Sequence, residues 1–310
     1  MRKAEGGGNA SNGKRWTFSH LLLAMLLAAV FLPNQKKVAS AAALLAAVAI
    51  IEMIYIVSAL KRKYPSKAGT DIVCIVWVFL LLWELSTSVL NWMHPVLVPA
   101  PEDVFNVFAV QWRLLLKGVF SSLQLLAVGM LLGICAGVGF GLCAGWLPRL
   151  RGIFWPVAQV LAPIPPVVYA PYLIAVMPNF RSASALVIFL GIFWPTFLSM
   201  IVQVRWIDPG IIDTARTLGV SNRGMIPYIL LPSVFPGVVG GLKVTLSTSI
   251  MLLCFAEMMG ATSGMGYYII NYIHYANYTN VVAGIILVGV VVTLLNKVVD
   301  FIQGRAIPWK

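Results

Sequence analysis

Arg205-Trp206-Ile207-Asp208-Pro209-Gly210-Ile211-Ile212-Asp213-Thr214-Ala215-Arg216-Thr217-Leu218-Gly219-Val220-Ser221-Asn222-Arg223 is a polar, basic interruption in an otherwise apolar chain. Asp208-Pro209 is a helix-start signal, a capping side chain ahead of a proline in the first turn. The run from Ile211 to Leu218 can form two helical turns, and Gly219 can terminate them. A second short helix is expected from about Arg223 to Leu231, ahead of Pro232. The product is a short, basic, amphipathic helix pair. Its apolar stripe of Ile211, Ile212, Ala215 and Leu218 needs a cover, which either the membrane interface or another protein subunit can provide.

Outward from this loop the chain turns apolar on both sides, over 183–204 and 236–258. Of its 310 residues, 60% are hydrophobic and 10% charged, against roughly 25% charged in an average soluble domain. The mean hydropathy of +0.90 agrees. Several runs reach or approach the ~20 residues a helix needs to cross the hydrocarbon layer. They are continuous rather than alternating, which excludes a membrane barrel. The expected fold is therefore an all-α integral membrane protein with about eight spans: 17–33, 38–60, 72–91, 119–145, 153–177, 183–204, 236–258 and 281–303.

The net charge of +12 does not indicate nucleic acid, because the cations lie in short clusters between apolar runs. With the N-terminus inside, the inner loops hold fifteen of them: Arg2, Lys3, Lys14, Arg15, Lys61, Arg62, Lys63, Lys67, Arg149, Arg151, Arg205, Arg216, Arg223, Arg305 and Lys310. The outer loops hold five: Lys36, Lys37, Arg113, Lys117 and Arg181. This asymmetry predicts both termini in the cytoplasm and the 205–235 loop at the inner mouth. An outer segment from Asn91 to Gly118 carries three prolines and an amphipathic stretch from Glu102 to Leu116.

The N-terminus has a basic start and an apolar stretch from about Leu21 to Leu32, but no small-residue cleavage site beside Phe31-Leu32-Pro33-Asn34. It reads as an uncleaved first span. Residues 1–16 are expected as a disordered cytoplasmic tail and 17–70 as a helical hairpin with a basic connector. Residues 71–310 form a six-span core.

Here a family resemblance emerges. IIDTARTLGVSNRGMIPYILLPSVFPGVVGGLK, residues 211–243, resembles the EAA loop of binding-protein-dependent ABC importer permeases. Asp213-Thr214-Ala215 occupies the acidic-Ala-Ala positions, Gly219 the glycine, and Leu231-Pro232 the Leu-Pro pair; Asp replaces Glu and Thr the first Ala. GLKVTLSTSIMLLCFAEMMGATSGMGYYI (241–269), LVPAPEDVFNVF (97–108) and Ala162-Pro163-Ile164-Pro165-Pro166 are similar to segments of the nitrate, sulfonate and taurine branch. The resemblance runs from about Trp83 to the C-terminus and implies a type I importer core. It implies that the loop, with Arg216 in its helix, docks on a cytoplasmic ATPase subunit and carries its motion to the pore. Implied partners are two ATP-binding subunits, a second permease copy (a homodimer), an external periplasmic or lipid-anchored substrate-binding protein and membrane lipid, with no nucleic acid. The implied location is the bacterial cytoplasmic (inner) membrane, and the implied solute a small anion such as a sulfonate, taurine or nitrate.

Other features are weighed on the residues alone. Gly129, Gly133, Gly137, Gly141 and Gly145 put a glycine stripe on one face of span four, for packing inside the subunit or for a sliding or subunit interface. Pro163, Pro165 and Pro166 interrupt span five, as a path-lining break or a structural kink. Glu257 is an intramembrane carboxyl that either bonds the glycine-rich turn after it or lines an external gate. Glu84 shares that ambiguity, Glu52 calls for a helix partner or a neutral form, and Lys243 is expected to snorkel. Cys74, Cys135, Cys143 and Cys254 are packing residues. Gly8 to Arg15 imitates a P-loop but lacks the hydroxyl residue after Lys14 and the preceding strand. His20, His94 and His274 are scattered, and no catalytic set or metal site is expected. No cofactor is expected. The chain reads as a transport subunit rather than an enzyme, with an ion-coupled secondary transporter as the competing reading.

Overall fold

The computed structural model describes residues 5–32, 40–61 and 67–306, with side chains from Arg15 onward and not for Lys61. The expected roles of Arg2, Lys3, Pro33, Lys36, Lys37, Arg62, Lys63 and Lys310 lie outside the described residues, as do the side chains of Lys14 and Lys61. All regular structure among the described residues is helical. The elements are α1 (Glu5–Phe31), α2 (Ala42–Lys61), α3 (Lys67–Glu84, prolonged by a π turn, Leu85–Val89), α4 (Pro101–Val110), α5 (Trp112–Trp146), α6 (Pro148–Leu161), α7 (Pro166–Val176) and α8 (Phe180–Arg205). They continue with α9 (Pro209–Thr217), α10 (Asn222–Met225, followed by a π turn, Ile226–Leu230), α11 (Leu231–Gly260), α12 (Met265–His274) and α13 (Tyr278–Ala306).

Among the described residues six helices are long and apolar enough to cross a membrane, and α6 with α7, bent by 95°, meets the same test only as a pair. α1 adds a shorter apolar stretch, Arg15–Phe31. The bend occupies the Pro163–Pro165 region because these prolines withdraw backbone donors from the ladder. Three boundaries differ from expectation. Residues 5–16 are the first turns of α1 rather than a disordered tail. The amphipathic 102–116 stretch divides between α4 and the first turn of α5, so the fourth span starts at Trp112. The short helix expected to end before Pro232 instead runs on as one helix from Asn222 to Gly260. The π turn accounts for this: Leu231 N donates to Ile226 O, and the missing donor of Pro232 falls at the change of register.

The chain forms two compact units, Met1–Leu114 with Asn271–Ala283, and Leu115–Ile270 with Gly284–Lys310. In the first, α1 packs along α3 and α2 against α4. Leu22, Leu26, Leu44, Trp77 and Leu80 make one core, so the two helices of the expected hairpin share their apolar contacts with α3. Glu52 has a helix partner, as its apolar setting requires: His20 Nε2 lies 3.0 Å from its Oε1. Glu84 and Glu102 are both fully buried. They face each other beside Ser88, whose hydroxyl donates to Glu102 Oε2 at 3.1 Å.

The second unit is organised by the glycine stripe. A Cβ added at Gly129, Gly133, Gly137, Gly141 or Gly145 would lie 2.6–2.9 Å from Ile188, Ile192, Thr196, Met200 or Val204 respectively. The stripe is thus the seam on which α8 lies, an intrasubunit packing face. The partners advance in the same order on both helices, so α5 and α8 run parallel. The bent α6–α7 pair therefore has to bring the chain back across between them. Methyl groups in this seam are expected to overpack it: Gly141→Ala should destabilise the unit by about 1–3 kcal/mol. Gly139→Ala should be near neutral, because no atom lies within 4 Å of its added Cβ. Thermal melting of the two purified variants checks this, and equal midpoints would contradict the seam.

Candidate functional site

The 206–223 loop forms as its chemistry dictates. Asp208 Oδ1 accepts from Gly210 N at 2.8 Å, with Pro209 in the first turn of α9. At the other end Val220 N donates to Ala215 O and Gly219 N to Arg216 O, both at 3.0 Å. This is a Schellman closure, with Gly219 in the left-handed region at φ +80°. Ser221 Oγ then accepts from Gly224 N and caps α10.

The structure divides the sequence-predicted set. Asp213, Thr214, Arg216 and Gly219 are exposed on α9 and its cap. Ala215 is only 4% exposed and faces the protein's own interior. The expected stripe is therefore split: Ala215 turns inward, Ile212 is half-buried, and Ile211 and Leu218 remain outside. The cause is tertiary. The Arg216 guanidinium sits 5.8 Å over the Trp146 ring, a contact that ties α9 to the end of α5. The Asp213–Arg216 ion pair, at 3.5 Å and solvent-exposed, contributes little. Leu231 and Pro232 are exposed at the start of α11. Two exposed aromatic residues are missing from that set: Trp206, 83% exposed, ahead of α9, and Tyr228, 75% exposed, in the π turn after α10. Their signal was available, as aromatic residues inside a polar loop.

Glu257 lies at the opposite end of α11 and is fully buried. Its Oε1 accepts from Ser122 Oγ at 2.6 Å and its Oε2 from Gly266 N at 2.8 Å. Ser122 Oγ in turn accepts from Met265 N at 2.8 Å. The carboxyl thus pins the turn between α11 and α12 to α5. Its hydrogen-bond partners include none of Pro163, Pro165 and Pro166, which sit apart at the α6–α7 bend. Lys243, expected to snorkel, ion-pairs with Asp300 of α13. A groove of about 210 Å³ separates α8 from α11, lined by Thr196, Ser199 and Gln203 on one side and Gly237, Gly241 and Thr245 on the other. The spacing of the three α8 residues puts them on one helix face, a pattern present in the sequence itself.

A loop with an uncovered apolar face at one end of a helical membrane bundle matches a known architecture. Residues 129–309 match the family described as "Binding-protein-dependent transport system inner membrane component". The chain belongs to this family. The permease resembles the taurine transport system permease protein TauC of Escherichia coli K12, at 26% identity over 81% of this chain and 94% of that protein. It is 32% identical to the nitrate import permease protein NrtB of Leptolyngbya laminosa, over 61% of this chain and 68% of that one. A putative aliphatic sulfonates transport permease protein, SsuC of Bacillus subtilis, is 27% identical over 75% of this chain and 85% of that one. A chain of the MetNI methionine ABC transporter, solved in inward-facing conformations, superposes with a TM-score of 0.55 at 20% identity, covering 64% of this chain and 98% of that one. This likeness shows the type I importer fold. The permease is a multi-pass inner-membrane transport subunit of an ABC importer, and ATP hydrolysis belongs to a separate subunit.

Proposed function

We propose that α9 is the element on which the ATP-binding subunit docks, and that two copies of the permease form the translocation path for a small sulfonate, taurine, nitrate or similar solute. The observation that carries this is the exposure of Ile211 and Leu218 on an ordered, doubly capped helix, with Trp206 exposed just ahead of it. Such a surface is held in shape yet unfilled within one chain, as a docking element must be. Asp213, Thr214, Arg216 and Gly219 present its polar rim, and Ala215 anchors it from beneath. Leu231 and Pro232 stand where α11 begins, so motion of α9 is passed into a helix that reaches the outer turn at Gly260. Both termini lie in the cytoplasm on this reading, and α1 and α2 precede the importer core as an added pair. Pro163, Pro165 and Pro166 let α6 and α7 hinge beside the path, and Glu257 holds the outer turn that closes it.

The names of the relatives support the solute class, since taurine, nitrate and aliphatic sulfonates are all small oxyanion-bearing molecules. The test is ATP hydrolysis by the reconstituted permease–ATPase complex in the presence of its binding protein, loaded in turn with taurine, an alkanesulfonate, nitrate and methionine. Stimulation is expected with one or more of the first three. Stimulation by methionine alone would overturn the solute class, and transport with no ATPase subunit present would overturn the docking role.

A further inference from the structure

Beyond the inner loop, the second unit has a cavity of about 510 Å³ at its other end. It lies between the first turns of α5, the N-terminus of α8 and the turn that follows α11. We infer that this cavity is an anion-binding vestibule that takes a small organic oxyanion, a sulfonate or carboxylate with a short apolar tail. The assignment of that anion as the transported solute rests on the function proposed above; the binding itself does not.

The charges are one-sided. Lys117 and Arg181 line the cavity together with Ser121, Gln124, Thr262 and Ser263, and no carboxylate lines it. Neither cation forms an ion pair among the described residues. Arg181 Nη2 donates to Gln124 Oε1 at 2.7 Å. One arm of the guanidinium is thereby held, while its remaining N–H groups stay available for a bidentate contact with an oxyanion. The Ser121 and Ser263 hydroxyls are 2.9 Å apart. Whichever of them donates, the other keeps its own hydrogen for a ligand.

The helix adds to this. α8 begins at Phe180, and Asn179 Oδ1 satisfies Ser182 N at 2.8 Å. Asn179, Phe180 and Arg181, at the positive end of this 26-residue helix, line the cavity. Bare nitrate or sulfate would leave most of the volume empty, whereas Phe120, Leu125 and Phe180 give an organic tail an apolar wall. Position matters as well. Thr262 and Ser263 belong to the turn pinned by Glu257, so an anion there touches the end of the helix whose other end carries α9.

An oxyanion could arrive as a free solute or as the phosphate of a lipid headgroup, and the experiment separates the two. Calorimetric titration of the detergent-purified permease–ATPase complex, without lipid or nucleotide, uses propanesulfonate as probe. Saturable binding is expected, weakened by at least about tenfold in Arg181→Gln and in Lys117→Gln. The loss should be smaller in Arg181→Lys, which keeps the charge but not the bidentate fork, and binding should be unchanged in Arg113→Gln, whose side chain lies outside the cavity. Both neutralised positions are exposed, and matching melting curves will show that the variants are folded. Repeating the titration with short-chain phosphatidylglycerol identifies the source. Stronger binding of the lipid that displaces propanesulfonate would assign the cavity to a headgroup and overturn the solute vestibule; stronger binding of propanesulfonate supports it. Absence of saturable binding, or binding indifferent to both neutralising substitutions, would overturn the site altogether. ATPase stimulation by the loaded binding protein in the same preparation tests the importer reading separately. Stimulation without anion binding sinks only the vestibule, and binding without stimulation by any ligand sinks only the proposed coupling and solute class.

Discussion

Gly219→Leu is expected to lower binding-protein-stimulated ATP hydrolysis and transport by at least about tenfold while the membrane bundle stays folded. Two effects meet at this residue, and they can be separated. The backbone is left-handed there, at φ +80°, which costs a branched L-residue about 1–2 kcal/mol. Sterically, however, a Cβ at this position meets nothing within 4 Å in the chain itself. The space it would enter is the space an ATPase subunit fills on the proposed reading. Asparagine tolerates the left-handed region, so Gly219→Asn removes most of the strain and keeps the added bulk. If docking is the issue, the asparagine variant should still impair retention of the ATPase subunit on size exclusion, with an unchanged melting curve. If strain alone matters, Gly219→Ala should be worse than Gly219→Asn, and ATPase retention should follow melting. Full transport by the leucine variant would remove α9 from the coupling route.

The parts of this loop that sequence reading captured are those whose chemistry is local. Asp208 caps within two residues and Gly219 closes within five, so the residues alone specify both ends of α9. The rotation of α9 is different. Whether Ala215 faces in or out depends on what the rest of the fold sets against α9, and no periodicity within the loop reports it. The membrane spans were legible for a similar reason, because hydrocarbon thickness imposes a minimum apolar run on each segment separately. Their boundaries were not, because helices continue past the apolar layer wherever they find polar cover, as at Trp112–Lys117 and Asn222–Phe235. Carboxyl partners were the least legible. Ser122 is 135 residues from Glu257, and Glu102 looked like part of a surface amphipathic stretch until α4 placed it in the core beside Glu84. The glycine stripe was visible at once, yet only the position of α8 decides between an internal seam and a subunit interface.

Gly264→Ala is expected to destabilise the outer turn by roughly 2–5 kcal/mol. Gly264 has φ +133°, a conformation that side chains rarely adopt. A methyl group there would also run into the Glu257 carboxyl. Neither problem can relax cheaply, because Glu257 is held from both sides by Ser122 and Gly266 N. Removing the carboxyl instead, as in Glu257→Ala, leaves Gly266 N without its acceptor, at about 1–3 kcal/mol for a buried amide. The double variant tests whether the two effects share a cause. With Glu257 truncated, the methyl group at 264 has room, and only backbone strain and the stranded amide remain. Thermal unfolding of the two single variants and the double variant should therefore be sub-additive, the double losing less than the sum of the singles. Gly118→Ala is the control, since its Cβ would meet Gly264 O at an ordinary 3.4 Å and should be tolerated. Strict additivity would mean that the Glu257 carboxyl and the 264 backbone do not constrain each other. The outer turn would then owe its shape to the glycine alone, and Glu257 would lose its role as the pin that fixes this end of α11 while α9 moves at the other.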